Sequence, residues 1–366
     1  MIEITRPTLV VDKKKCLQNI EKMANKAADF KLRFRPHFKT HQSAKIGEWY
    51  REYGVNAITV SSVQMAEYFA GHGWDDITIA FSLNIREIKN INRLAEKIKL
   101  QLLVENTEAA EVLAEKIKYP VEVWIKIDTG YNRTGIISSN SYYIESVVNK
   151  ITQSSKLTFK GFLTHTGHTY YASSTDEIFS RHFDALLKLR SLKQQYRFKF
   201  PDVEISMGDT PAASIATSFD GVDEIRPGNF VFYDLMQHSL GVCRLTDIAV
   251  KVVCPVVAKH LLRNEVIIHG GAVHFSKDEI INIDGKAMYG RIIIHKGEEK
   301  VMLDQMNYLS KLSQEHGTLK VAHNQFHNFE IGDLVEIVPV HSCLTANLMG
   351  HMRATDGELI EMMPKY

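Results

Sequence analysis

The chain has 366 residues, of which 45% are hydrophobic and 24% charged, as expected for a globular protein with one large and one smaller domain. Lys+Arg number 44 and Asp+Glu number 43, and no block of like charge suggests a nucleic-acid or membrane partner. The amino terminus lacks the pattern of a signal peptide, and the four cysteines have no CxxC spacing, so we expect reduced thiols and a cytoplasmic location.

Short β-rich runs alternate with helical runs through the first half of the chain. The predicted strands cover residues 32–39, 56–62, 76–81, 100–105, 121–128, 159–166, 203–208 and 226–233. The predicted helices cover residues 42–53, 63–70, 85–99, 107–118, 141–154 and 175–196, and the fourth of them is capped by Thr107. Eight strands with apolar runs instead of strict alternation favour an α/β fold of the (β/α)₈ TIM-barrel type over a doubly wound sheet.

The pattern changes after about residue 234, where helical periodicity is nearly absent. Short β runs cover residues 248–257, 266–269, 292–296, 319–322 and 334–339. They predict an additional β domain, to which a strand at residues 7–11 could also belong. We therefore predict a barrel over residues 10–240 and a β domain over residues 241–366 together with residues 1–9.

The first predicted strand ends in an unusual run, Arg35-Pro36-His37-Phe38-Lys39-Thr40-His41. Lys39 falls at the carboxyl end of the strand, the end at which barrels carry their active sites. Burial and nearby cations would lower its pKa, as a lysine that forms a Schiff base requires. Taken alone, such a run is more often an ordinary strand-end lysine beside two surface histidines.

Other strand ends carry polar loops that would lie at the same end of the barrel. The fifth strand leads into a glycine-bracketed loop with Arg133, and the sixth ends in His165-Thr166-Gly167-His168-Thr169-Tyr170. The seventh leads into Gly208-Asp209-Thr210-Pro211, where a helix start and a hydroxyl could hold a phosphate. A phosphate turn beside an activated lysine suggests pyridoxal 5′-phosphate, although the turn alone is also a good helix cap.

The β domain contains a candidate metal pair, His341 and Cys343, after a predicted strand. If the strand's extended backbone continues, the imidazole and the thiolate point to the same side. Both groups are good ligands for zinc, and two ligands leave room for water or substrate. Alone, the spacing is more often a coincidence.

Taken together, these motifs resemble those of the D-threonine aldolase/D-serine dehydratase family, which has the alanine-racemase-like fold of pyridoxal phosphate enzymes. The resemblance spans about residues 6–347 and rests on five motifs in order: Arg35 to His41, Gly208 to Pro211, Glu224 to Gly228 with Tyr233 and Asp234, Glu315 to Gly317, and Pro339 to Cys343. The lysine motif and the His-x-Cys motif are the most specific of them.

The resemblance implies roles for individual residues. Lys39 would bind the cofactor covalently and remove the substrate's α-proton. The cofactor would be held by Gly208, Thr210 and Tyr233 at its phosphate and by Arg133, His165 and Tyr170 elsewhere. His341 and Cys343 would bind a divalent ion, with zinc favoured and manganese as the alternative. His37 and His41 would shape the pocket wall. A homodimer is implied as well.

These features predict a lyase that dehydrates D-3-hydroxy amino acids of the D-serine, D-threonine or D-3-hydroxyaspartate type. The open alternatives are a D-threonine aldolase, an amino-acid racemase and a non-catalytic carrier of the cofactor. The aldolase branch tends to carry aspartate where this chain has Cys343, which favours dehydration. This chain has His269 and His274 in a segment where the family usually has an Asp-x-Gly turn, so the substrate is left open.

Overall fold

The structure is a computed structural model and describes residues 4–296 and 299–365. In chain order, its strands are β1 Thr8–Val11, β2 Arg33–Phe34, β3 Ile58–Val60, β4 Asp76–Ser82, β5 Lys99–Val104, β6 Val121–Asp128, β7 Ile136–Ile137, β8 Leu157–His165, β9 Glu204–Gly208, β10 Glu224–Ile225, β11 Val250–His260, β12 Glu265–His269, β13 Ile280–Ile281, β14 Ala287–Met288, β15 Gly290–Lys296, β16 Glu299–Met302, β17 Tyr308–Leu312, β18 His316–Lys320, β19 Leu334–Pro339, β20 His351–Ala354 and β21 Leu359–Glu361.

The α-helices are α1 Lys13–Asp29, α2 Ala44–Arg51, α3 Val63–Gly71, α4 Ile88–Ala95, α5 Thr107–Lys116, α6 Ser141–Thr152, α7 Thr175–Tyr196, α8 Thr210–Ile215, α9 Leu235–Ser239, α10 Ala272–Phe275 and α11 Ser342–Met349. Within the described ranges, none of the helices has the length and apolarity to span a membrane. The chain divides into two compact units. The barrel unit comprises Ile20–Lys39 and Gly47–Phe230, and the β unit comprises Met1–Asn19, Thr40–Ile46 and Val231–Tyr366.

Eight parallel strands form the sheet of the barrel unit, in the order β2-β10-β9-β8-β6-β5-β4-β3. Its two ends are joined beyond β2: the Phe38 N–H donates to the Thr59 carbonyl at 2.9 Å, and the Thr59 N–H donates to the Pro36 carbonyl at 2.9 Å. The predicted (β/α)₈ barrel is thus confirmed, and the segment that closes it leads directly into Lys39.

Two predicted barrel strands are wrong in their extent. The eighth was expected over residues 226–233, but β10 ends at Ile225 and residues Asn229–Val231 form a 3₁₀ turn. Pro227 has no N–H to continue a ladder, so the strand stops before it. The first was expected over residues 32–39, but β2 covers only Arg33–Phe34, with one further bridge at His37.

Two helix predictions also need correction. The cap of α5 is Asn106 and not Thr107, because the Asn106 Oδ1 accepts the Ala109 N–H at 2.7 Å. Helix α1 was not predicted from the sequence, although Cys16, Ile20 and Met23 are buried with helical spacing.

The β unit contains a closed ring of antiparallel strands, β11-β12-β18-β17-β15-β19, in which β19 returns to β11. Strand β1 pairs with β11, so the predicted strand at residues 7–11 does belong to this sheet. The additional β domain is therefore confirmed. The elements of this part of the chain that were not predicted are strands β13, β14, β16, β17, β20 and β21 and helices α9, α10 and α11.

Charged side chains fill the amino end of the barrel. Glu224 is fully buried and accepts hydrogen bonds from the Arg35 Nε at 2.7 Å and the Ser206 hydroxyl at 2.7 Å. Arg35 also donates to Asp76 at 2.6 Å. Burial would raise the pKa of Glu224, but the charge of Arg35 outweighs it and lowers this pKa. A cavity of about 520 Å³ opens here, and the pairing of its charged lining indicates a structural role.

Replacing Glu224 by glutamine is expected to lower the free energy of unfolding by about 3 kcal/mol near neutral pH, because Arg35 loses its buried carboxylate. The folded-state pKa of Glu224 is depressed, so this contribution is present above the unfolded pKa of about 4.3 and is lost as the pH falls through the folded pKa. Urea denaturation of both proteins over this pH range measures the difference.

The exposed Glu115 provides the matched control for this measurement. Glu115→Gln should change the free energy of unfolding by less than about 0.5 kcal/mol. Equal losses in the two variants, or a Glu224→Gln loss that persists undiminished in acid, would contradict the assignment.

Candidate active site

Lys39 lies in the turn that follows the closure of the barrel. Phe38, immediately before it, is fully buried, and its ring lies 5.0 Å from Phe69 and 5.1 Å from Trp74, measured between ring centroids. Lys39 is exposed. Its backbone N–H donates to the Nδ1 of His37 at 3.4 Å. The turn is therefore anchored by an aromatic cluster directly beneath the lysine.

His165, at the end of β8, lies among cations. Its Nδ1 donates to the Gly208 carbonyl at 2.5 Å, which leaves the Nε2 as an acceptor. Burial lowers the pKa of His165 well below its ordinary value, and the charges of Lys126, Lys39 and Arg133 lower it further. The imidazole is therefore neutral at neutral pH. Lys126, Lys39 and Arg133 all lie near enough to His165 to influence its pKa.

Lys126, in β6, was missed by the sequence reasoning. Its side chain is only 5% exposed, and burial, followed by the charges of Arg226 and Arg133, lowers its pKa to about 7. The sequence does contain an indication of a buried lysine, because Lys126 interrupts the apolar run 121–128. The carboxyl end of the barrel thus concentrates positive charge that an anionic ligand would neutralise.

The predicted phosphate turn joins β9 to α8, and hydrogen bonds to the Asp209 side chain fix its conformation. The Asp209 carboxylate accepts the Ala212 N–H at 2.6 Å and the hydroxyls of Thr166 and Thr169. The Thr210 N–H donates to the Tyr170 hydroxyl oxygen at 3.2 Å. The Thr210 Oγ1 is buried and has no hydrogen-bond partner among the described residues.

The same turn begins at a glycine that packs closely against Arg226. A Cβ atom on Gly208 would lie 3.1 Å from a guanidinium nitrogen of Arg226. The buried hydroxyl of Thr210, beside this glycine and near the cations, is what a phosphate-binding turn needs. The residues present therefore fit a phosphorylated cofactor.

Arg133 lies in an exposed loop that Asp128 organises. The Asp128 Oδ1 accepts the N–H groups of Gly130 at 2.8 Å and Tyr131 at 2.9 Å. Gly135 has φ +112°, and a Cβ there would lie 2.8 Å from the Asp128 nitrogen, so only glycine fits. The predicted glycine-bracketed loop is thus present, with Arg133 on it.

In the β unit, the predicted metal ligands His341 and Cys343 are hydrogen-bonded to each other. The expected extended backbone is wrong, because α11 begins at Ser342 and Cys343 lies in its first turn. The His341 Nδ1 donates to Asp278 at 2.6 Å, which leaves its Nε2 to face a metal. Thr40, which follows Lys39 in the chain, contacts the Cys343 Sγ at 3.3 Å.

His341 and Cys343 each shift the pKa of the other. Burial would lower the pKa of His341, but Asp278 and Cys343 outweigh it and raise this pKa to about 11. Burial would raise the pKa of Cys343, but His341 outweighs it and lowers that pKa. A lowered pKa favours the thiolate, the form in which cysteine binds metals. The donor set therefore fits a divalent ion.

Two further acids and one tyrosine define this part of the β unit. Asp278 was not predicted as a site residue, and only the fold brings it to His341. Asp234 accepts the Ser342 N–H at 2.9 Å and hydroxyl at 3.1 Å, which fixes the start of α11. Tyr233 is buried with φ +47°, an uncommon backbone conformation for tyrosine. Its predicted contact with the phosphate stays a prediction.

The two histidines of the lysine motif differ. His37 accepts the Lys39 N–H, as described above. His41 is fully buried, its Nδ1 accepts the Ser43 N–H at 3.1 Å, and burial lowers its pKa to about 3.

Known proteins show the same combination of units. The family model of the alanine racemase N-terminal domain matches residues 11–235, and that of the serine dehydratase domain matches residues 249–355. D-threo-3-hydroxyaspartate dehydratase from Delftia is 26% identical over 94% of this chain and 92% of its own length. Its structure has a TM-score of 0.90 and covers 99% of this chain and 98% of its own.

Other relatives extend this comparison. D-serine dehydratase from Dictyostelium discoideum is 28% identical over 93% of this chain and 91% of its own length. A D-threo-3-hydroxyaspartate dehydratase with one cysteine replaced by alanine, solved in the metal-free form, has a TM-score of 0.90 at 26% identity, and covers 99% of this chain and 98% of its own. D-threonine aldolase from Filomicrobium marinum shares the fold, with a TM-score of 0.81 at 18% identity over 99% of this chain and 97% of its own.

The two family models together account for most of the chain, and the first alone covers more than half of it. Their ranges agree with the barrel and the β domain. The chain therefore belongs to the alanine racemase N-terminal domain family and, through its serine dehydratase domain, to the D-threonine aldolase/D-serine dehydratase family that its motifs predicted.

Proposed function

We propose that this protein is a pyridoxal 5′-phosphate- and divalent-metal-dependent lyase that dehydrates small D-3-hydroxy amino acids such as D-serine or D-threo-3-hydroxyaspartate. The observation that carries the proposal is the hydrogen-bonded His341–Cys343 pair with Asp278 on the Nδ1 of the histidine. A racemase or a cofactor carrier would have no use for it. The named dehydratases among the relatives support the same choice.

In this proposal the barrel residues hold the cofactor. Lys39 would bind it covalently, Gly208 and Thr210 would bind its phosphate, and Tyr233 is proposed as a further phosphate contact. Arg133, His165 and Tyr170 contact the remainder. When bound, pyridoxal phosphate acts as an electron sink that allows bonds at the substrate's Cα to break.

The chain's own groups then handle protons and orientation. The Nζ of Lys39 would take the substrate's α-proton. His165 remains neutral beside it, so it can accept a hydrogen bond without adding a further charge to the cationic cluster. Lys126 and Arg133 stabilise the anionic groups of the ligand.

The β-unit residues hold the metal in this proposal. His341 supplies its Nε2 and Cys343 its thiolate, while Asp278 fixes the ring and raises its basicity. A divalent ion there supplies Lewis acidity for departure of the β-hydroxyl. The thiolate favours zinc over manganese. The proposal includes a homodimer, as the family resemblance implies.

The direct test is turnover by the purified holoprotein with D-serine, D-threonine and D-threo-3-hydroxyaspartate as substrates. We expect release of the 2-oxo acid and ammonia, abolished by a chelator and restored by zinc. Lys39→Ala should lower kcat by at least about 10³-fold, because it loses both the covalent anchor and the base. Lys89→Ala, at an exposed position in α4, is the matched control and should retain full activity.

Other outcomes would establish the alternatives. Glycine and acetaldehyde from D-threonine, with no 2-oxo acid from D-serine, would identify an aldolase. Chelator-insensitive conversion of D-serine to L-serine would identify a racemase. Bound cofactor without turnover of any D-amino acid would leave a carrier.

The role of Asp278 gives a separate prediction. Asp278→Ala should lower metal affinity about 10- to 100-fold, because His341 loses the group that orients its ring. Asp278→Asn should have a smaller effect, since its amide oxygen can still accept from the Nδ1. Competition with a chromogenic chelator measures both affinities.

Asp284, which is exposed and lies six residues further along the chain, is the matched control. Asp284→Ala should bind metal like the unmodified protein. If Asp278→Ala also binds metal unchanged, Asp278 does not position the ligand.

A further inference from the structure

Two imidazoles and a carboxylate meet elsewhere in the β unit. His269 ends β12, His274 lies in α10, and Glu315 lies in the turn between β17 and β18. The Glu315 Oε2 lies 3.7 Å from the Nε2 of His269 and 3.9 Å from the Nε2 of His274. Among the side chains that the structure describes, which leave out residues 1–3, 295–299 and 366, this is the one group of three such residues whose ligating atoms all lie within 4.8 Å of one another.

The backbone is built to bring these side chains together. A Cβ on Gly271 would lie 2.2 Å from the Gln314 carbonyl oxygen, and a Cβ on Gly317 would lie 2.5 Å from the Gly270 carbonyl oxygen. The Gly270 N–H donates to the Glu315 carbonyl at 2.8 Å. Glycines therefore let the turn after β12 lie directly on the β17–β18 hairpin, which sets the distances between the three ligands.

The spacing fits a tetrahedral ion. Zn–N and Zn–O bonds of about 2.0–2.1 Å place neighbouring ligand atoms about 3.3 Å apart. The observed 3.7 and 3.9 Å exceed this by about half an ångström, and the side chains of His269 and Glu315, 40% and 50% exposed, can make the adjustment. The two imidazole rings are nearly perpendicular, at 86°, with centroids 5.7 Å apart.

The donor set also defines the class of ion. Two imidazoles and one carboxylate suit zinc, cobalt and nickel, whereas calcium and magnesium prefer oxygen ligands. Burial lowers the pKa of His274, and the charge of His269 adds to this against the opposing charge of Glu315. His274 is therefore uncharged at neutral pH, the form that binds metal.

We propose that His269, His274 and Glu315 form a second divalent-metal site, separate from His341 and Cys343, with its fourth coordination position open to solvent. The ion would tie β12 and α10 to the β17–β18 hairpin. The motif reasoning left His269 and His274 without a role, and Glu315 was noted only as part of a family motif.

Metal binding would change the tautomer of His274. In the protein as it stands, the Gly271 N–H donates to the Nδ1 of His274 at 3.1 Å, which places the ring proton on Nε2. An ion on Nε2 moves that proton to Nδ1 through solvent, with no net proton release, and ends the bond from Gly271. Loss of this bond would weaken binding by roughly tenfold, so we expect moderate affinity.

The test uses the full-length holoprotein carrying Cys343→Ala, which removes the thiolate of the other site. Titration with Co²⁺ should show one bound ion per chain, with visible bands of tetrahedral cobalt and no thiolate charge-transfer band. Adding His274→Ala should weaken Co²⁺ binding at least about 100-fold, and adding Glu315→Gln about 10-fold. His316→Ala, which changes the cross-strand neighbour of His269, is the matched control and should leave binding intact.

Two results would overturn the proposal. The first is absence of stoichiometric Co²⁺ binding by the Cys343→Ala protein while its circular dichroism and cofactor absorbance match those of the unmodified protein. The second is Co²⁺ binding that is equally tight with and without His274.

Discussion

The reciprocal hydrogen bonds between Thr59 and the segment 36–38 are the interaction on which the rest of the barrel depends. They join β3 to the extension of β2 and so close an otherwise open eight-stranded sheet. The next residue after the closure is Lys39. Because Phe38 is packed among aromatic rings on the inner side of this turn, the backbone that presents the lysine is fixed by the same contacts that close the fold.

Charged side chains are paired at the amino end of the barrel, whereas at the carboxyl end basic side chains lie close to one another. At the amino end, Arg35 is matched by Glu224 and Asp76 in a buried network, so the charges stabilise the fold. At the carboxyl end, Lys126 and His165 are forced towards their neutral forms by burial and neighbouring cations. Perturbed pKa values of this kind are typical of functional sites, whereas the amino-end cavity has the features of a structural network.

The local sequence pattern predicted most of the fold, and the order of the motifs supplied most of the candidate site residues. Strand 121–128 and helix 175–196 match their predicted bounds, because the strand is a long apolar run and the buried residues of the helix recur at helical spacing. Contacts between distant segments could not be predicted in this way. Asp278 reaches His341 across 63 residues, and Glu315 reaches His269 only through strand pairing. Local pattern also failed at the eighth strand. The apolar run 226–233 was predicted as a strand, but Pro227 ends β10 and residues Asn229–Val231 form a 3₁₀ turn.

The central claim is that Lys39 anchors the cofactor, although Lys126, at the same end of the barrel, has its pKa lowered to about 7 by burial. Reduction of the holoprotein with borohydride, followed by peptide mass mapping, distinguishes the two directly. The account predicts the phosphopyridoxyl group on the peptide that contains Lys39. A label on Lys126, or on any other lysine, would contradict it.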